Sequence, residues 1–169
     1  MEYTTVIACS LGYYLESDKV FYQGFGGCTI KRMAGKVLRE EAHVRGFGKV
    51  VILLGTIEVL EGRRCDITVQ EMRELVQIVH NISGCDPFVC LVPPIQGFCN
   101  SVGKMNAAYR KVFRGSIVNL NKLFLAKDTG STKKELFCGD GLHLSAFGIK
   151  ELSSYFGRLA KRTPGIRPQ

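Results

Sequence analysis

Three residues in this 169-residue chain are of the types that together cleave esters and amides: Ser10, Asp140 and His143. A serine hydroxyl is a weak nucleophile until a neighbouring base takes its proton. Imidazole suits that task near neutral pH, provided an acceptor on its far nitrogen holds one tautomer. Asp140 and His143 stand three apart in Gly139-Asp140-Gly141-Leu142-His143-Leu144-Ser145, close enough for such a pairing inside one loop. The remaining requirement is a set of N–H donors for the oxyanion. The glycine-rich stretch Gly24-Phe25-Gly26-Gly27-Cys28-Thr29 opens into a helical pattern, so its amides, with that of Ser10, are the candidate donors.

The elements around these residues place them at one rim. Tyr3–Cys9 reads as a buried strand and Lys19–Tyr22 as a short one. Val50–Leu54 is a continuous apolar run ending at Gly55, the mark of a strand covered on both faces. Pro87–Val92 and Gly115–Leu120 complete the strands. Helical spacing runs from Thr29 to about Val44 through Ile30, Met33, Val37 and Ala42. A second helix opens at Thr68, whose spacing to Glu71 is that of a capping box, and ends near Gly84. Asn100 or Ser101 caps a third, and Ser145 caps the last, with Ile149, Leu152, Phe156 and Leu159 on one face. Strands alternating with helices predict a parallel α/β sheet, and sites in such sheets form beyond the carboxyl ends of the strands. Ser10 follows the first strand, Gly27 the second, and Gly55-Thr56-Ile57-Glu58 the third.

One domain over residues 1–162 is expected, with 163–169 a frayed tail. No apolar run reaches 18 residues, so no membrane span is predicted, and the first residues lack a basic signal-peptide start. Seven cysteines, an odd number in a chain of this size, point to a reducing intracellular compartment, cytoplasmic or nuclear, rather than a disulfide framework. No metal-ligand spacing occurs, and triad chemistry needs no metal or cofactor. The net charge of +8 favours anionic partners, RNA among them. The candidate contacts are Lys31, Arg32, Lys36 and Arg39 on the first helix and Arg63 and Arg64 in a loop.

These blocks resemble the SGNH (GDSL-like) hydrolase superfamily from about Val6 to Leu159. Asp140 to Gly148 is similar to its last block, which carries the triad Asp and His. Ala8-Cys9-Ser10-Leu11 occupies the place of the Gly-Asp-Ser-Leu block, and Gly24 to Ile30 that of the second. The resemblance implies a three-layer αβα sandwich with a flavodoxin-like parallel sheet and the activity of a serine esterase. Ser10 would be the nucleophile, His143 the base, Asp140 its orienting group, and Ser10 and Gly27 the oxyanion donors. The third block departs from the pattern: Ile57 stands where the oxyanion asparagine belongs, and Glu58 where an aspartate follows. Two kinds of member frame the expectation. Compact domains encoded by retrotransposons are esterases and resemble this chain in their short first loop. The C-terminal domain of the insect protein Oskar has lost the catalytic set and binds RNA. An ester is the implied substrate of the first kind; an inactive domain binding RNA or a protein partner is the alternative.

Overall fold

The computed structural model describes residues 2–12 and 14–162, so the expected tail at 163–169 lies outside the described residues. Five strands form one parallel sheet: β1 (Thr4–Ala8), β2 (Val20–Gly24), β3 (Lys49–Leu53), β4 (Phe88–Cys90) and β5 (Ile117–Val118). Their order is β2-β1-β3-β4-β5 and every pairing is parallel. This is the flavodoxin-like order, in which the chain reverses its direction of travel across the sheet between β1 and β3. Val6, Ile7, Val50, Val51 and Ile52 have no solvent-accessible surface, as strands covered on both faces require.

The longer helices are α1 (Ile30–Leu38), α3 (Cys65–Ser83), α4 (Cys99–Val112) and α6 (Ala146–Lys161); short α2 (Thr56–Leu60) and α5 (Asn121–Phe124) join them. One layer contains α1 against α3 and α3 against α4, while α6 packs on β2. There the fully buried Phe156 ring meets Tyr22 of β2 at 6.1 Å between centroids. The arrangement is a three-layer α/β sandwich, as expected.

Several boundaries differ from the sequence reading. Thr29 caps α1, its hydroxyl accepting from the Arg32 N–H at 3.2 Å, but the helix stops at Leu38 rather than near Val44. Glu40 takes a left-handed conformation (φ 57°) and breaks the helical ladder. Ala42 and Val44 remain buried in the irregular segment beyond, so their apolar spacing imitated a continuing helix. Thr68 is not a cap: α3 starts one turn earlier at Cys65, and the Thr68 hydroxyl donates to the Arg64 carbonyl at 3.0 Å. Neither Asn100 nor Ser101 caps α4, which starts at Cys99 with no side-chain cap. Ser145 does cap α6, accepting from the Gly148 N–H at 3.1 Å.

That last helix start matters for the site, because α6 follows His143 directly. At Gly148 the helix presses on the chain before it: an added Cβ would lie 2.0 Å from the Leu136 carbonyl oxygen. Alanine is the better helix former by about 1 kcal/mol. Gly148→Ala should nevertheless lower stability by about 1–3 kcal/mol, because the obstructing atom is backbone and cannot rotate away. Chemical denaturation of the two proteins checks this; a stabilised variant would show that α6 is free to shift.

Candidate active site

Ser10 begins a single 3₁₀ turn, Ser10–Gly12, at the end of β1. It is half-buried at the rim, beyond the C-terminal end of a strand buried throughout its length. Cys9 beside it is buried, and that burial pushes its thiol above the ordinary value, so it is a neutral packing group.

Asp140 and His143 lie in a tight loop between Leu136 and α6. The loop is closed by Cys138 N–H to His143 O (2.7 Å), Gly141 N–H to Cys138 O (2.9 Å) and Ser145 N–H to Leu136 O (3.0 Å). The Asp140 Oδ2 meets His143 Nδ1 at 2.6 Å, and its Oδ1 accepts from the N–H groups of Leu142 and His143 at 2.9 and 3.0 Å. The hydrogen bond from His143, helped by those two amides, holds the Asp140 carboxyl down at about 2, so it is ionised throughout the neutral range. A carboxylate on Nδ1 fixes the tautomer that leaves Nε2 as the base. The structure therefore brings Asp140 and His143 together. It does not join His143 to Ser10, for no hydrogen bond links these side chains among the described residues.

The candidate oxyanion donors come from β1 and from the turn before α1. Gly27 has φ 65°, and neither its N–H nor that of Ser10 donates a hydrogen bond among the described residues. Ile57 is half-buried in α2, packed against the core, and supplies no donor.

Two contributors escaped the sequence reading. Gln96, in the loop before α4, donates its N–H to the Gly141 carbonyl at 3.0 Å. Gly141 is left-handed (φ 65°), and a Cβ there would lie 2.2 Å from the Gln96 Cβ. Only glycine lets the Asp140–His143 loop dock this closely. Glu58, noted in sequence only as a block residue, has no accessible surface and accepts the Ile30 N–H at 3.2 Å through Oε2. It thus anchors the start of α1, three residues after Gly27. Its Oε1 is buried without a partner. Burial raises the Glu58 carboxyl, with the Ile30 N–H opposing.

A groove of about 920 Å³ adjoins the Asp140–His143 loop, lined by Ile95, Gln96, Phe137, Cys138 and Gly141 among others. Of the basic residues expected to meet RNA, four carry a carboxylate partner: Lys36 and Arg39 on Glu41 (3.3 and 2.8 Å), Arg63 on Glu61 (2.8 Å) and Arg64 on Asp66 (2.7 Å). Lys31 and Arg32 have none within 4.0 Å among the described residues. The described residues contain no helix long and apolar enough to cross a membrane.

Among solved structures the fold is that of the SGNH (GDSL-like) hydrolases. A GDSL-like lipase from Bacteroides thetaiotaomicron superposes with a TM-score of 0.76 at 15% identity, covering 95% of this chain and 88% of its own. The lipase/acylhydrolase from Enterococcus faecalis gives 0.72 at 17%, covering 100% and 99%. The OSK domain of Drosophila Oskar has the same fold, with a TM-score of 0.68 at 13% identity over 83% of this chain and 73% of that one. No family model matches the sequence, and no curated protein does.

The Glu58 carboxyl yields a pH test. Its folded-state value is raised above the unfolded one near 4.5, so folding takes up a proton. The stability this gives is complete at acid pH and is lost as pH rises through the folded value. Glu58→Gln keeps an oxygen for the Ile30 N–H and removes the titration. Its melting temperature should gain on that of the parent protein as pH rises from about 4.5 to 7. A gap independent of pH would mean that Glu58 titrates as it does in the unfolded chain.

Proposed function

We propose that the domain is a serine acyl hydrolase acting on esters. The observation that carries this reading is the Asp140–His143 pair, with a 2.6 Å contact on Nδ1, an ionised carboxylate and an Nε2 that makes no hydrogen bond among the described residues, in a chain whose β1 ends at Ala8, just before Ser10. In the proposed reaction the Ser10 Oγ attacks the ester carbonyl carbon while His143 Nε2 takes its proton. The tetrahedral oxyanion faces the N–H groups of Ser10 and Gly27. Its collapse expels the alcohol with the proton from His143 and leaves an acyl-Ser10 ester. Water then attacks that ester with His143 again as base, releasing the acid and free Ser10. The groove beside Gly141 is the place for one arm of the substrate. The scheme requires the Ser10 hydroxyl and His143 Nε2 to meet once substrate is bound, and such hydrogen bonds often tighten only then.

The second reading is an inactive domain that binds RNA or a protein partner. Ile57 favours it, because one missing oxyanion donor typically costs about 10²–10³ in rate.

A fluorophosphonate probe separates the two. It should label Ser10 in the folded protein, and Ser10→Ala or His143→Ala should abolish the adduct; an unlabelled, folded wild-type protein would rule out the hydrolase. Ile57→Asn should then raise esterase turnover about tenfold or more, part of the full effect of an oxyanion donor. An unchanged rate would mean that position 57 does not face the oxyanion.

A further inference from the structure

Four of the domain's cations meet at one groove. A groove of about 740 Å³ runs between the β1–β2 loop and the outer side of α6. Lys19, Lys150, Arg158 and Lys161 line it, all four exposed. None has a carboxylate within 4.0 Å among the described residues, in contrast to Lys36, Arg39, Arg63 and Arg64. Arg158 and Lys161 are in the last turns of α6, where the helix dipole favours cations. Lys150, in the first half of the helix, and Lys19, in the loop, have no such reason to be there.

The geometry selects a long anion over a small one. Lys150, Arg158 and Lys161 fall on one face of α6, at angular offsets of roughly 80° and 20° from the first. Lys150 and Lys161 are eleven residues apart, about 16 Å along the axis. A lone phosphate would engage only one end of this row. The other rim differs in chemistry. Tyr14 presents its ring at 73% exposure, and Glu16 and Asp18 stand beside it. An aromatic face stacks bases, and carboxylates accept hydrogen bonds from base amino groups. One wall thus suits phosphates and the other suits bases. The two walls are tied together: the Glu16 N–H donates to the Ser153 hydroxyl of α6 at 3.2 Å. We propose that this groove binds single-stranded nucleic acid, with the backbone along α6 and a base on Tyr14. The proposal stands whether or not Ser10 turns over an ester, because none of these groups belongs to the catalytic set.

The test is fluorescence anisotropy of the whole chain with a labelled single-stranded RNA of about 20 nucleotides, long enough to exceed the groove, over about 50–200 mM salt. Four phosphate contacts predict a slope of log K against log salt near −3. Lys150→Ala with Arg158→Ala should weaken binding at least tenfold and bring the slope to about −1.4, the value for two contacts. Tyr14→Ala should weaken binding about tenfold at an unchanged slope, as loss of stacking predicts. Arg63→Ala with Arg64→Ala should leave both quantities as they are. All four proteins are compared at equal melting temperature or corrected for the folded fraction. Equal loss from the Arg63/Arg64 pair, a slope unmoved by the groove pair, or no retention at about 50 mM salt would overturn the proposal. So would capture by anionic phospholipid vesicles without RNA binding, which would make the groove a membrane-facing surface.

Discussion

Inside the sheet β1 has parallel neighbours on both sides, β2 and β3, in continuous register from Thr4 to Ala8. Its backbone groups are committed to the ladders and its side chains to the two helical layers, with Val6, Ile7 and Ala8 wholly buried. A strand enclosed in this way has nowhere to present chemistry along its length. Only where the ladder stops, after Ala8, does the chain reach the surface, and there it immediately turns at Ser10. The same holds for β3, which ends before Gly55 and feeds α2. Because the winding reverses between these two strands, their loops diverge and leave a crevice that a sheet wound in one direction would close. The position of Ser10 is therefore a consequence of sheet topology more than of local sequence.

Two carboxylates are held in opposite protonation regimes by their surroundings. Asp140 is exposed, bonded to an imidazole and two amides, and is stabilised as an anion. Glu58 has no accessible surface, one N–H donor and one oxygen without a partner, and is pushed toward its neutral form. The difference follows from their partners: three hydrogen-bond donors hold the charge of the exposed Asp140.

The strands and the buried faces were legible because burial on both sides writes long apolar runs, as in Val50–Leu54, and the Asp140–His143 spacing was legible because both ends of the contact lie in one loop. What the sequence hid was set by residues far apart in the chain. The end of α1 is decided by a left-handed Glu40, while Ala42 and Val44 kept the apolar rhythm for a reason unrelated to helix. Thr68 and Glu71 have capping spacing but sit inside α3, because the helix could begin earlier at Cys65. The contact of Gln96 with Gly141 spans forty-five positions and leaves no mark on either residue beyond glycine itself.

Charge is a further case in which distance along the chain matters. Clusters such as Lys36 with Arg39, or Arg63 with Arg64, are conspicuous in a linear sequence, yet their partners Glu41, Glu61 and Asp66 are also within five residues. In these clusters the counter-charges lie close in the chain, although each exposed pair contributes little to stability. Some cations without a carboxylate within 4.0 Å among the described residues are scattered along the chain and assembled only by folding: Lys19 from a loop, and Lys150, Arg158 and Lys161 from separate turns of α6. A net charge of +8 thus says that an anionic partner would be attracted, while the fold decides which face it would meet. In this domain that face is built close in the chain to Ser10 and His143 without using either, since Tyr14 follows Ser10 by four positions and α6 begins three positions after His143.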